Sequence, residues 1–199
     1  MEKKYFAHET ALVDENVCIG AGTKIWHFTH VLSGVFIGKH CSFGQNCVVG
    51  PKVSIGNGVK VQNNVSIYEG VICEDDVFLG PSMVFTNVMN PRSFIVRRNE
   101  FKKTHLKKGC SVGANATLVC GITVGEYALI GAGSTVTKDV KPFALVYGVP
   151  AKQHGWVSQA GNKLTFNADG IAIDDYDRTQ YRLHNNDVEM CEMEAGTVE

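Results

Sequence analysis

The sequence has no excess of charge of either sign. Its 199 residues carry 19 Lys and Arg against 20 Asp and Glu, a net of −1, with a pI of about 6.6. That balance excludes the electrostatic footprint of a nucleic-acid or acidic-membrane binder. No apolar run approaches the ~20 residues needed to span a bilayer. The opening MEKKYFAHET has charges with no apolar stretch behind them, so a secretory leader is not expected and a soluble, cytoplasmic protein is. The seven cysteines include no C-x-x-C pair, and disulfides are not expected in that compartment. Amphipathic 3.6 spacing is missing as well, which excludes a helical fold. The length suits one domain with a sizeable core.

A six-residue beat takes the place of helical spacing. Written in sixes from Val13, the chain reads VDENVC, IGAGTK, IWHFTH, VLSGVF, IGKHCS, FGQNCV, VGPKVS, IGNGVK, VQNNVS, IYEGVI, CEDDVF, LGPSMV. First positions are Val, Ile, Leu or Phe, with Cys73 the exception, and fifth positions are Val, Thr, Cys or Met. The beat lapses after Phe85 and resumes at Leu106 with LKKGCS, VGANAT, LVCGIT, VGEYAL, IGAGST, VTKDVK. The 2,4,2,4 spacing of first and fifth positions is not simple strand alternation; it requires a short extended segment followed by a corner. Gly, Asn and Asp at the corners tolerate positive φ. Such segments wind into a solenoid whose rungs hydrogen-bond at ~4.8 Å.

This phase assigns the cysteines. Cys41, Cys47 and Cys110 hold fifth positions and Cys73 a first position, so all four point into the core as small apolar residues. The tail past Lys152 leaves the beat: QHGWVSQAGNKL reads as a short helix or turn across the prism end. LTFNADGIAIDDYDRTQYRL reads as a hairpin about an Asp-Gly turn, and the acidic last residues read as a cap covering the prism edge, with the extreme terminus disordered.

The pattern resembles the hexapeptide-repeat family. The resemblance implies an all-β, left-handed parallel β-helix with three hexads per coil, six to seven coils in this chain, packed as a homotrimer. The domain spans 1–152 with a protruding loop at 86–105, followed by an extension at 153–199. A solenoid of this kind is an acetyl-coenzyme A-dependent acyltransferase, a carbonic anhydrase or a scaffold. The anhydrase needs three spaced histidines around zinc. His27 and His30 share one hexad with no third on neighbouring coils, so no metal is expected. The small-residue rungs VGANAT and IGAGST suit a pantetheine arm beside Ala114 and Ala132. GVPAK resembles the signature that closes such helices, its Lys152 near the coenzyme A phosphates, with Lys138 a second cofactor contact.

Over residues 7 to about 165 the likeness narrows to enzymes that N-acetylate 3-amino groups of nucleotide-linked sugars for bacterial surface polysaccharides, FTNVMNPR being the most specific element. The tail is more similar to enzymes acting on UDP-2-acetamido-3-amino-2,3-dideoxyglucuronate; dTDP-linked 3-amino-3,6-dideoxyhexoses are the alternative. The likeness implies that Asn87 sits beside amine and thioester. An amide stays neutral at pH 7, so Asn87 would orient the amine and not deprotonate it. As a bare residue, Asn87 equally suits a turn where a strand leaves a coil. His27, His30 and His105 are the histidines available as a base, with His30 a substrate contact. Gln62, Asn63 and Asn64 fill a corner where glycine is usual, to read sugar or base, or simply to turn the chain. The basic run Arg97–Lys108 reads mainly as a solvated loop. Arg92, Arg97 and Arg98 offer planar forks to carboxylate or pyrophosphate, Arg92 foremost because it lies nearest Asn87.

Overall fold

A two-residue strand buries one side chain and exposes the other, so it is stable only when stacked between identical neighbours. The computed structural model, which describes residues 4–191, stacks them on three faces. On the first face Phe6–Ala7 pairs in parallel with Lys24–Ile25, and Lys24–Ile25 with Ser42–Phe43. Lys60–Val61, Phe78–Leu79, Ser111–Val112 and Leu129–Ile130 continue it. The second face runs from Leu12–Val13 to Thr135–Val136 and the third from Cys18–Ile19 to Thr123–Val124. The register steps by three hexads, as in Phe6↔Lys24 and Ser54↔Ile72. The expected β-solenoid of hexapeptide repeats is what forms.

First and fifth positions fill the interior; Ile25, Val31, Ile37, Leu118, Val124 and Ile130 are each fully buried. Cys41, Cys47, Cys73 and Cys110 lie among them as expected. Burial pushes their thiols up, Cys110 to about 12, which leaves no thiolate near neutral pH. Thr23 and Thr29 are tolerated at fifth positions because their hydroxyls donate to the carbonyls of Gly38 and Gly44 at 2.9 and 2.8 Å.

The corners divide two tasks that the sequence reading merged. The left-handed residue is the fourth of each hexad, from Asn16 to Ser82 and again from Gly109 to Gly133. Second-position glycines instead answer to crowding. A Cβ on Gly113 would stand 2.5 Å from the amide nitrogen of Ala132 on the next coil.

Several boundaries move. The beat begins one hexad earlier, at Ala7, where half-buried Ala7 and Ala11 hold first and fifth positions against the core. The loop ends at residue 103, because Thr104–Leu106 is already a strand paired with Val71–Cys73. Ile72 pairs with His105, 33 positions on, against 18 for Ser54 and Ile72. The insertion is therefore 15 residues long. QHGWVSQAGNKL forms no helix: Ala151–Trp156 is a strand antiparallel to Ala144–Gly148, crossing the expected boundary at 152/153. Pairing wins there because Leu145–Val146 ends the first face and presents a free edge.

The tail is a three-stranded antiparallel sheet of Ile171–Ile173, Gln180–His184 and Asp187–Met190. Its turns are 174–179 and Asn185-Asn186, both asparagines at positive φ. Asp169-Gly170 instead belongs to an Asx turn in which Asn167 Oδ1 accepts the N–H groups of Asp169 and Ile171. Asp187–Met190 of the acidic end is strand; the disorder expected of the extreme terminus falls on residues 192–199, outside the described residues. Tyr181, fully buried, anchors this sheet to the prism. Its ring meets Phe143 edge-on, Phe143 stacks on Tyr127, and its hydroxyl accepts the Gln159 N–H at 2.9 Å.

Candidate active site

The three corners of a coil stack into three ridges, and each residue named from the sequence sits on one of them or on the face between. Asn87 lies on the ridge joining the second and third faces, at the neck of the loop. Thr86 still belongs to the ladder: its N–H donates to Leu118 O, and its hydroxyl accepts the Cys120 N–H at 2.9 Å. One residue on, the carbonyl of Asn87 accepts the Lys102 N–H at 3.0 Å and closes the neck. The backbone of Asn87 thus has a structural task, while its half-buried carboxamide makes no hydrogen bond among the described residues. A polar group fixed in place with unused donors and acceptors suits a substrate contact.

The loop arginines are partly committed. Arg92 is exposed and donates to the carbonyl of Pro91 at 2.9 Å. Arg97 forks both oxygens of Glu100 at 2.8–2.9 Å, and Arg98 starts the short 3₁₀ turn Arg98–Glu100.

Gln62, Asn63 and Asn64 stand on the ridge between the first and second faces. Asn63 Oδ1 accepts the Gln45 N–H at 2.9 Å, and Asn64 Oδ1 accepts Asn46 Nδ2 at 3.4 Å. These amides stitch one coil to the next. Asn64 also lines a cleft on the second face with Ser66, Tyr68 and the segment Met83–Phe85. The lining ends at Phe85, two residues before Asn87, and Asn64 and Asn87 stand on the two ridges that flank the second face.

His30 is not brought to them. It lies on the second face three rungs from Val84, roughly 14 Å at the spacing of stacked strands. Its Nε2 is 2.9 Å from Asp14 Oδ1, and Asp14 Oδ2 accepts the Ser33 N–H. His27 stacks on His8 with centroids 3.6 Å apart.

Ala114 and Ala132 follow one another up the ridge that carries Asn63, the Gly133 N–H donating to Ala114 O at 2.8 Å. Lys152 ends the same ridge opposite Tyr147 in the terminal hairpin, where Tyr147 and His154 stack at 3.7 Å. Lys138 stands apart. It lines a cavity with Asp139, Lys141, Ala151 and Gln153, and strand alternation puts Ala151 and Gln153 on the opposite side from Lys152.

One cluster escaped the sequence reading. Glu74 Oε1 lies 2.8 Å from Lys107 Nζ and 2.9 Å from His105 Nε2, and Oε2 accepts the Lys108 N–H. The hydrogen bond from Lys107 holds the Glu74 carboxyl below its usual value. The cluster fastens the strand that follows the loop. Its signal, Glu74 and Lys107 at the second positions of successive rungs on the third face, emerges only once the 15-residue surplus is known. Among the described residues, no three His, Cys, Asp or Glu side chains gather as a metal site.

Residues 103–138 match the bacterial transferase hexapeptide family (six repeats), and residues 34–69 the hexapeptide repeat of succinyl-transferase. Over 161 residues the chain is 46% identical to a dTDP-3-amino-3,6-dideoxy-alpha-D-galactopyranose 3-N-acetyltransferase of Aneurinibacillus thermoaerophilus, covering 81% of this chain and 83% of that one. The chain belongs to the hexapeptide-repeat acetyltransferases. Within that family, the bifunctional protein GlmU of Thermotoga sp. is 35% identical over 94 residues, 45% of this chain and 21% of its own length. In fold, the acetyltransferase domain of PglB from Neisseria gonorrhoeae, solved with acetyl coenzyme A, superposes with a TM-score of 0.52 at 19% identity. That match covers 76% of this chain and 58% of the other.

Proposed function

We propose that this acetyltransferase moves the acetyl group of acetyl-coenzyme A to the 3-amino group of a dTDP-linked 3-amino-3,6-dideoxyhexose. The 46% identity along most of both chains carries the reading. It reverses the order inferred from the tail, which put UDP-2-acetamido-3-amino-2,3-dideoxyglucuronate first. The loop supports the change, since Arg92 and Arg97 already engage Pro91 and Glu100 and are not simply free for a sugar carboxylate.

In the proposed chemistry the sugar amine attacks the thioester carbonyl, giving a tetrahedral oxyanion. The carbon–sulfur bond then breaks and an amide remains. The leaving thiolate takes the proton shed by nitrogen, so amide and coenzyme A thiol are the products. Asn87 accepts an N–H of the amine and aims its lone pair; a backbone N–H on a small-residue rung serves the oxyanion. Alignment supplies the largest share of the rate, as effective molarities for oriented pairs allow. Asn64, with Gln62, Asn63 and Arg92, is assigned to the nucleotide sugar, and Ala114, Ala132 and Lys152 to the cofactor; His30 and Lys138, which the fold sets apart from these groups, are left out of the assignment. Three copies of the chain are proposed to share their sites at subunit contacts, consistent with exposed Leu12, Val48 and Val84 along the second face. The proposed setting is cytoplasmic synthesis of a surface-polysaccharide sugar.

Thiol release from acetyl-coenzyme A, measured with each amino sugar, tests the reading. Release with the dTDP sugar alone supports it, and release with the UDP glucuronate alone reinstates the other substrate. Silence with both removes the two 3-amino sugars as substrates, and only silence with every amino sugar would leave the scaffold. Asn87→Ala should cut turnover at least a hundredfold with melting temperature and assembly unchanged; near-normal turnover removes Asn87 from the chemistry.

A further inference from the structure

The hexad IWHFTH contains the least economical corner of the solenoid. Phe28 holds the fourth position at φ +55° with its side chain 63% exposed. A bulky residue in the left-handed region is strained, and the other Phe and Tyr rings at fourth-type corners are covered. Tyr127, also at φ +55°, is half-buried and stacks on Phe143. Phe28 has no such compensation, yet it is held in place. Its N–H donates to Thr10 Oγ1 at 3.1 Å, and Thr10 Oγ1 lies 3.0 Å from His8 Nδ1.

Around it the rings form a ladder. Phe6 and Trp26 have centroids 5.4 Å apart, His8 lies on His27, and His27 leads to Phe28 at 6.1 Å. The ladder occupies the ridge that carries Asn63, two rungs below it. The exposed amides of Gln45, Asn46, Asn63 and Asn64 come next, followed by the segment that feeds Asn87. From Trp26 to Gly80 is three rungs, roughly 14 Å.

We propose that the Phe28–Trp26 ladder is the stacking platform for the nucleobase of the sugar nucleotide, with the intervening amides facing its ribose and diphosphate. The proposal rests on the nucleotide-sugar reading above. A flat ring displayed against strain serves a ligand with a π-face, and stacking of this kind is worth about a tenfold change in affinity per base. A subunit contact is the competing use of the same rings.

The test uses the intact protein and the free nucleotides dTDP and UDP. Trp26 is exposed, whereas Trp156, the other tryptophan, is buried, so stacking should quench the Trp26 emission, with calorimetry giving the affinity. Phe28→Leu keeps the bulk and should bind at least one nucleotide about tenfold more weakly, with mass and melting temperature unchanged. Phe28→Gly should bind equally weakly yet melt no lower, because glycine relieves the strain. Unchanged affinity in Phe28→Leu overturns the proposal, and so does a smaller assembly or a lower melting point in Phe28→Gly. If the wild type binds neither nucleotide, the platform is overturned too. Thiol release with the amino sugars then decides separately whether the nucleotide-sugar reading falls with it.

Discussion

Thr104→Val should make the protein more stable. Thr104 is the fifth-position residue where the solenoid restarts after the loop, 1% exposed, and its hydroxyl has no partner among the described residues. Its stack neighbour below is Val71. An unpaired buried hydroxyl costs about 1–3 kcal/mol, and valine keeps the branched shape without it. At about 2–4 °C per kcal/mol for a domain of this size, the gain is roughly 2–12 °C. Thr23→Val supplies the opposite sign, because the Thr23 hydroxyl donates to Gly38 O and accepts the Cys41 N–H. Thermal melts together with urea titrations at unchanged slope measure both. If Thr104→Val is neutral or destabilising, the hydroxyl is satisfied and the account of this position is wrong.

Gly113→Ala should cost about 1–3 kcal/mol by overpacking against the Ala132 backbone. Gly133→Ala meets open space but sits at φ +68°, so it should cost about 1–2 kcal/mol of backbone strain instead; crystal structures of the pair would show coils pushed apart only in the first. Glu74→Gln should flatten the loss of stability in acid. The folded carboxyl titrates below its unfolded value, so its contribution is present above the ordinary glutamate range and disappears as pH falls through that range and the folded value beneath it. The effect is small because Glu74 is partly exposed, and melts across that range read it directly.

The solenoid was legible because its repeat is a constraint on every coil. An apolar residue at positions one and five has only one way to face inward eighteen times. Ala7 and Ala11 were missed because alanine carries little apolar signal at the end of the array, where burial is incomplete. The corner chemistry was half legible: Asn at a fourth position announces positive φ, but Phe28, His40 and Lys52 adopt it with no such signal. Gln153–Trp156 reads as a turn or helix because its pairing depends on the free edge of Leu145–Val146 and not on its own alternation. In the site, Asn87 was visible as the point where the beat stops. The Glu74–Lys107 contact joins residues 33 apart and needs the loop length before it can be seen. Asn63 and Asn64 suited ligand contact and corner turning equally from the sequence, and their side chains tie one coil to the next.

The neck closed by Asn87 and Lys102 separates length from register. Adding one residue within any regular hexad would rotate every later side chain, putting core residues in water and corner residues in the core. Between Thr86 and Thr104 the chain leaves the second face and lands on the third face of the same coil, so the surplus of 15 residues is invisible to the coils above. That segment can be lengthened, shortened or rewritten while the frame stays intact. A fold with almost no tolerance for insertion therefore carries, beside its candidate catalytic residue, one stretch where new specificities can be tried without refolding the rest.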